Sequence, residues 1–193
     1  MKTVRERIRE STKTLAALSV HAERISEITC AVGESLRRGG KLLVFGNGGS
    51  AVQAEHVAAE LVVRLRRERQ ALPAVALTTS TAILSATAND YSFEDVFSRQ
   101  LEALASFGDI VLALSTSGNS PNVLKGIETA NALQLKTIAL LGKGGGKLKG
   151  RADLELIVDS NSTERIQEAH LLILHIIAEM IESAFCNEQS GHS

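Results

Sequence analysis

The chain is poor in cysteine: two in 193 residues, Cys30 and Cys186, far apart and in no metal-type spacing. That excludes a disulfide scaffold and a cysteine-built metal module. One disulfide between them is possible, but two thiols in a reducing compartment is the reading the spacing favours. The chain also lacks an excess of either charge. Its 21 Lys+Arg against 22 Asp+Glu leave a net charge of -1, unlike the basic balance of a dedicated polyanion binder, so no nucleic-acid partner is expected. Long hydrophobic runs are missing too. The longest near the C-terminus, residues 171–178, is broken by His175 and falls far short of the roughly 20 residues a spanning helix needs. Residues 1–10 alternate charges without the apolar stretch of a signal peptide. These absences lead to the expectation of a soluble, cytoplasmic protein with no membrane partner. No low-complexity segment, repeat or domain linker interrupts the chain.

What is present is ordinary globular material, 44% hydrophobic and 22% charged. A chain of this length folds as one domain, residues 1–193, and buries roughly 70% of the surface its unfolded state exposes. The first forty residues carry a helical stripe, Val4, Ile8, Ser11, Leu15, Leu18, Ala22, Ile25, Thr29, Val32 and Leu36, at spacings of three and four, stopped by Gly39-Gly40. So long a helix packs on its own domain or against a partner chain. From Lys41 the period changes. Residues 41–45, 73–78, 109–115, 136–141 and 153–158 read as apolar strands. Helices are expected from residue 50 to about 66, around 82–88, over 94–105, after Pro121 and over 164–185, with residues 187–193 fraying.

Strand–helix alternation with near-continuous apolar strands predicts an α/β fold, a parallel sheet with helices on both faces. The commonest order for five such strands is 2-1-3-4-5, which places strands one and three together where the strand order reverses, the crevice in which such sheets bind ligands. Two Gly/Ser-rich loops follow those two strands: Gly46-Asn47-Gly48-Gly49-Ser50 and Ser115-Thr116-Ser117-Gly118-Asn119-Ser120. Each runs into a helix N-terminus, where free N–H groups and the helix dipole favour an anion. Two such loops at one switch point argue for a phosphate or phosphosugar rather than for ordinary loop composition. Residues 46–51 also fit a G-x-G-x-x-A pattern, but the second strand ends Leu77-Thr78-Thr79-Ser80 with no carboxylate to hold a ribose. No G-x-x-x-x-G-K-[ST] segment exists either, so no nucleotide cofactor is expected.

His56 and Glu60 lie four apart on the helix after the first loop and share a face, able to bind a metal, to share a proton or to stand as a solvated pair. His175 interrupts a run apolar on all sides and reads as buried, more simply as a satisfied core histidine than as a ligand. Gln167 precedes it by two turns. His21, His170 and His192 have no comparable setting. Arg64, Arg66, Arg67 and Arg69 read as a solvated helix end, with Arg64 one turn beyond Glu60 and able to reach a phosphosugar.

Taken with Asn89-Asp90, Phe97-Ser98-Arg99-Gln100, Pro121-Asn122-Val123, Gly142-Lys143-Gly144-Gly145-Gly146 and Arg165-Ile166-Gln167-Glu168, these segments resemble the sugar isomerase (SIS) domain family over nearly the whole chain, and within it the phosphoheptose isomerases. The resemblance implies a three-layer αβα fold with residues 1–40 as an oligomerisation helix, and a homo-oligomer, most simply a tetramer. It implies interconversion of sedoheptulose 7-phosphate and D-glycero-D-manno-heptose 7-phosphate through an enediol. By the same resemblance Asn47, Gly48, Gly49, Ser50, Arg64, Asn89, Asp90 and Gln167 approach the sugar, and Ser115, Thr116, Ser117 and Ser120 hold the phosphate. His56, Glu60, Gln167 and His175 match the family's zinc ligands, with Glu60 and His175 also its acid/base pair. The chain departs from the family at Ser80, where many members have aspartate, and at Val52, Gln53 and Glu55. The alternatives are a non-catalytic SIS binding protein of the replication-initiator type, which lacks the Glu60 and His175 counterparts, and an isomerase of another phosphosugar.

Overall fold

A computed structural model describes residues 2–190. Seven α-helices and five strands alternate among the described residues: α1 (Val4–Ala17), α2 (Ala22–Arg37), β1 (Leu42–Gly46), α3 (Gly49–Val62), β2 (Ala74–Ala76), α4 (Thr81–Asp90), α5 (Ser98–Leu104), β3 (Ile110–Ser115), α6 (Pro121–Ala132), β4 (Lys136–Leu141), β5 (Leu154–Ile157) and α7 (Thr163–Ser190). The strands form one sheet in the order β2-β1-β3-β4-β5, every pair parallel. β1 and β3 are neighbours, with Gly46 opposite Leu114, so the loops that leave them emerge side by side.

The strand sequences read as unbroken apolar runs because both faces of the sheet are covered. Successive side chains enter opposite layers. Leu42, Val44, Ile110, Leu112, Leu114, Ile138 and Leu140 pack against α2, α3 and α7. Leu43, Phe45, Val111, Ala113, Ala139 and Leu141 pack against α5 and α6. Phe45 stacks on Phe97 there at 4.7 Å.

The N-terminal stripe is divided. Thr3 and Glu6 form a capping box that starts α1, a 3-10 turn over Leu18–His21 breaks the helix, and α2 resumes it. The α2 half of the stripe, Ile25, Ile28, Val32 and Leu36, belongs to the chain's own core. On α1 no residue is buried, and Val4, Ile8 and the following Val20 are exposed. An apolar hollow lined by Leu15, Leu18, Ile25, Leu172, Ile176 and Met180 opens beside the break.

α3 ends at Val62, a turn earlier than its sequence suggested. α7 is longer: its residues 163–186 are apolar and long enough to cross a membrane by length and composition, with a mean hydropathy of 1.5, and half of that window is buried inside the molecule. Burial on one side explains the run as a core helix lying on the sheet. The backbone stays helical to Ser190. Residues 191–193 lie outside the described residues. Cys30 and Cys186 form no disulfide.

Candidate functional site

The first loop turns sharply because Gly48, with φ 56 and ψ -121, takes a conformation only glycine tolerates well. It delivers the chain directly into α3, whose first turn carries Gly49 and the buried Ser50. In the second loop, Ser115 Oγ accepts from Gly118 N at 3.0 Å and Ser117 Oγ accepts from Asn119 N at 3.1 Å. Each hydroxyl oxygen is thereby fixed while its proton remains available to a ligand. Ser120 is the N-cap of α6 and its side chain makes no capping bond, with Pro121 behind it in the first turn. Thr116, Ser117 and Ser120 are half-buried.

The two loops are tied together by a residue to which sequence reasoning gave no role. Asn47 and Asn122 exchange reciprocal amide hydrogen bonds, both 2.8 Å, and Asn122, 2% exposed, also accepts from Val123 N. A buried asparagine directly after the helix-starting proline is the signal that would have singled it out. The segment after β4 braces the second loop from behind. A Cβ on Gly118 would collide with the Gly145 carbonyl, and Asn119 Oδ1 accepts from Lys147 N at 3.1 Å.

α3 and α7 run alongside each other and meet in order along their lengths. At the start of α3, Gln53 Nε2 donates to the Gln167 carbonyl at 2.7 Å, and the Gln167 amide lies against Gly49. Farther along, His56, Glu60 and His175 converge. His56 Nε2 lies 2.8 Å from His175 Nε2, and Glu60 Oε1 lies 3.2 Å from the first and 3.6 Å from the second. Two imidazole nitrogens this close either share one proton or both turn a lone pair toward a cation. The circle through these three atoms has a radius of about 1.9 Å, close to the 2.0–2.2 Å of zinc–nitrogen and zinc–oxygen bonds. Glu60 Oε2 is buried without a hydrogen-bond partner. This donor set fits a divalent metal.

The other anticipated residues lie outside this cluster. Gln167 is eight residues before His175 on the same helix, about 12 Å of rise, and its amide contacts the first loop rather than the triad. Asn89 and Asp90 sit exposed on the last turn of α4, where Asn89 donates to Asp90 at 2.7 Å. Arg64 is exposed and pairs with Glu68 at 2.8 Å. The family departures have local explanations. Ser80 caps α4 by accepting from Ile83 N, Glu55 accepts from Thr78, and Gln53 links α3 to α7.

Two expectations need correction. His175 is not buried: its side chain is 39% exposed, beside the 43% of His56 and the 11% of Glu60. The core histidine is His170, fully buried, with Nε2 donating to the Leu141 carbonyl at 3.1 Å and Nδ1 unpartnered. Burial pushes its pKa down to about 4, offset only in part by the Leu141 contact. Nor is the arginine run a solvated helix end throughout, because Arg69 is buried.

Known proteins resemble this chain in sequence and in overall fold. The SIS domain family profile matches residues 6–142. The chain is 45% identical over 187 residues to the phosphoheptose isomerase of Aquifex aeolicus (strain VF5), covering 96% of this chain and 98% of that one. It is 56% identical over 149 residues to that of Geobacter sp. (strain M21), covering 77% and 78%. The solved phosphoheptose isomerase from Neisseria gonorrhoeae superposes with a TM-score of 0.86 at 38% identity, over 94% of this chain and 100% of that one.

Proposed function

We propose that this chain, which belongs to the SIS domain family and within it to the phosphoheptose isomerases, interconverts sedoheptulose 7-phosphate and D-glycero-D-manno-heptose 7-phosphate. The observation that carries the reading is the Glu60 carboxylate flanked by two imidazoles on α3 and α7, with the two anion-type loops leaving the adjacent strands β1 and β3.

Moving a carbonyl between C1 and C2 requires a proton taken from one carbon and returned to the other through an enediol, with proton exchange on the two oxygens. Glu60 is the base acting on carbon. His175 serves the oxygens as the acid/base partner. Residues 115–120 hold the phosphate by hydroxyl and backbone donors at the start of α6, while Asn47, Gly48 and Gly49 line the sugar chain. Arg64, Asn89, Asp90 and Gln167 complete the sugar's surroundings. His56, Glu60 and His175 would hold zinc, while Gln167, the fourth ligand of the family pattern, lies against the first loop instead of the triad in this chain. Zinc, when bound, contributes polarisation of the carbonyl and stabilisation of the enediolate charge. Elemental analysis of protein purified without chelator should find stoichiometric metal, and its absence would leave a metal-free acid/base site.

The exposed apolar residues of α1 and the hollow beside α7 support association between copies of this chain; the family resemblance makes that assembly a cytoplasmic homotetramer, a common closed symmetry. Light scattering at micromolar concentration should return four times the chain mass, and a monomer would contradict it. Incubation with sedoheptulose 7-phosphate, followed by NMR, tests the activity directly. Appearance of the aldose signals supports the reading. Their absence, with the substrate intact and the protein folded, overturns it.

A further inference from the structure

We infer that Arg69 and Glu182 are positioning residues for the catalytic pair: a buried clamp that fixes the end of α3 against α7 and so sets Glu60 beside His175. The inference rests on the isomerase reading above for its kinetic consequences, and on geometry alone for the clamp.

α3 ends at Val62, which leaves its last carbonyls without helical N–H partners. The Arg69 guanidinium turns back to supply donors. Nη2 donates to the carbonyl of Glu60 itself at 2.6 Å, and Nη1 donates to the Gln70 carbonyl at 2.9 Å, with Val63 at 3.4 Å. A cation at a helix C-terminus also complements the dipole. Its Nε faces Glu182 Oε1 at 3.9 Å, and the two side chains are 1% and 3% exposed. The Glu182 carboxylate in turn accepts from Leu65 N at 2.9 Å and from Arg66 N at 3.0 Å, gathering the chain just beyond α3. Burial works to raise the pKa of Glu182, but the N–H groups of Arg67, Arg66 and Leu65 and the charge of Arg69 outweigh it and hold the carboxyl below its ordinary value. The carboxylate is therefore charged at neutral pH.

Glu182 lies seven residues after His175, two turns along the same face of α7. The helices thus meet at three successive levels: Gln53 with Gln167, His56 and Glu60 with His175, and the chain after α3 with Glu182. The third level has no chemistry in the proposed reaction. A buried ion pair is seldom more stabilising than a well-packed apolar pair, so stability alone does not account for this one. Position does: Arg69 bonds the backbone of the residue whose side chain must sit 3.6 Å from His175.

The test compares Arg69→Met, Arg69→Lys and Glu182→Gln with Ile127→Ala, a destabilising control in the opposite core layer, each under conditions where circular dichroism shows a folded protein. Displacements on the order of 1 Å cost about 100-fold in rate. Arg69→Met should therefore lower kcat by about 10- to 100-fold and change KM by less than about threefold, since the phosphate loop is untouched. Arg69→Lys, which keeps the charge and one donor for the Glu60 carbonyl, should recover part of the loss, and Ile127→Ala should keep kcat. The imidazole Hε1 resonances of His56 and His175 in the metal-free protein should shift in Arg69→Met and not in Ile127→Ala. Unchanged kcat and resonances in folded Arg69→Met, or an equal kcat loss in the control, would overturn the clamp. If Arg69→Met does not fold, the gentler Glu182→Gln decides by the same two readouts. If the wild type shows no turnover of the heptose phosphate, the isomerase reading fails while the resonances still judge the clamp.

Discussion

Lowering the pH from 7.5 to 5.0 should destabilise the fold through His170. This imidazole is fully buried under β4, donates to the Leu141 carbonyl and has no acceptor for a second proton. Its pKa falls from the ordinary 6.5 to about 4 in the folded state. Between those values the unfolded chain binds a proton that the folded chain refuses. The contribution to stability is therefore fully present above pH 6.5 and is lost as pH falls through the window. Integrated to pH 5.0, the loss is about 2 kcal/mol, with a ceiling of about 3 kcal/mol once both states are protonated. The measurement is urea unfolding, followed by circular dichroism at both pH values, for the wild type and for His170→Gln, which retains a donor but does not titrate. Other groups contribute to both proteins and cancel in the comparison. The wild type should lose about 2 kcal/mol more than the variant between the two pH values. Equal losses would show that His170 accepts its proton in place, and that its enclosure has been misjudged.

Three further outcomes follow from the site. Glu60→Gln keeps the shape of the side chain and removes the proposed base, so turnover should fall by roughly 10²–10⁴-fold while substrate still binds; wild-type turnover with confirmed substrate would place catalysis elsewhere. Ser117→Ala with Ser120→Ala removes two donors from the phosphate loop and should weaken phosphosugar binding by a few kcal/mol, at roughly 1.5–3 kcal/mol for each bond to a charged group, and unchanged affinity by calorimetry would refute it. Gly118→Ala forces a side chain into a φ of 65° and against the Gly145 carbonyl, so inorganic phosphate should bind at least about tenfold more weakly, with the cost of the backbone alone roughly 1–2 kcal/mol.

Much of this architecture is legible in the sequence because burial on both sheet faces leaves a direct trace. β1, β3 and β4 are apolar without alternation, and the small-residue loops stand at strand ends where the sheet order brings them together. The histidines were harder. α7 is apolar nearly all round, so periodicity does not say which side meets the sheet. His170 and His175 are five residues apart and so differ by about 140° around the helix; one faces the core and the other faces α3. Arg69 illustrates another limit. An arginine among four within six residues looks solvated until a carboxylate from more than a hundred residues later is placed against it. Asn122 sits inside a legible motif, but its role depends on Asn47, which only the adjacency of β1 and β3 supplies.

The spacing of the triad along the chain also governs when the site can come into being. His56 and His175 are 119 residues apart, and α7 follows every strand of the sheet. At about 5–20 residues per second, a ribosome delivers His175 on the order of 10 s after His56 and Glu60. During that interval α3 offers a cation only one imidazole and one carboxylate, on a helix whose outer face still lacks its neighbour. Any cation this triad takes up would then be captured only after the sheet is complete, not as a seed for folding. A nascent chain stalled before α7 would present no complete donor set to a cation.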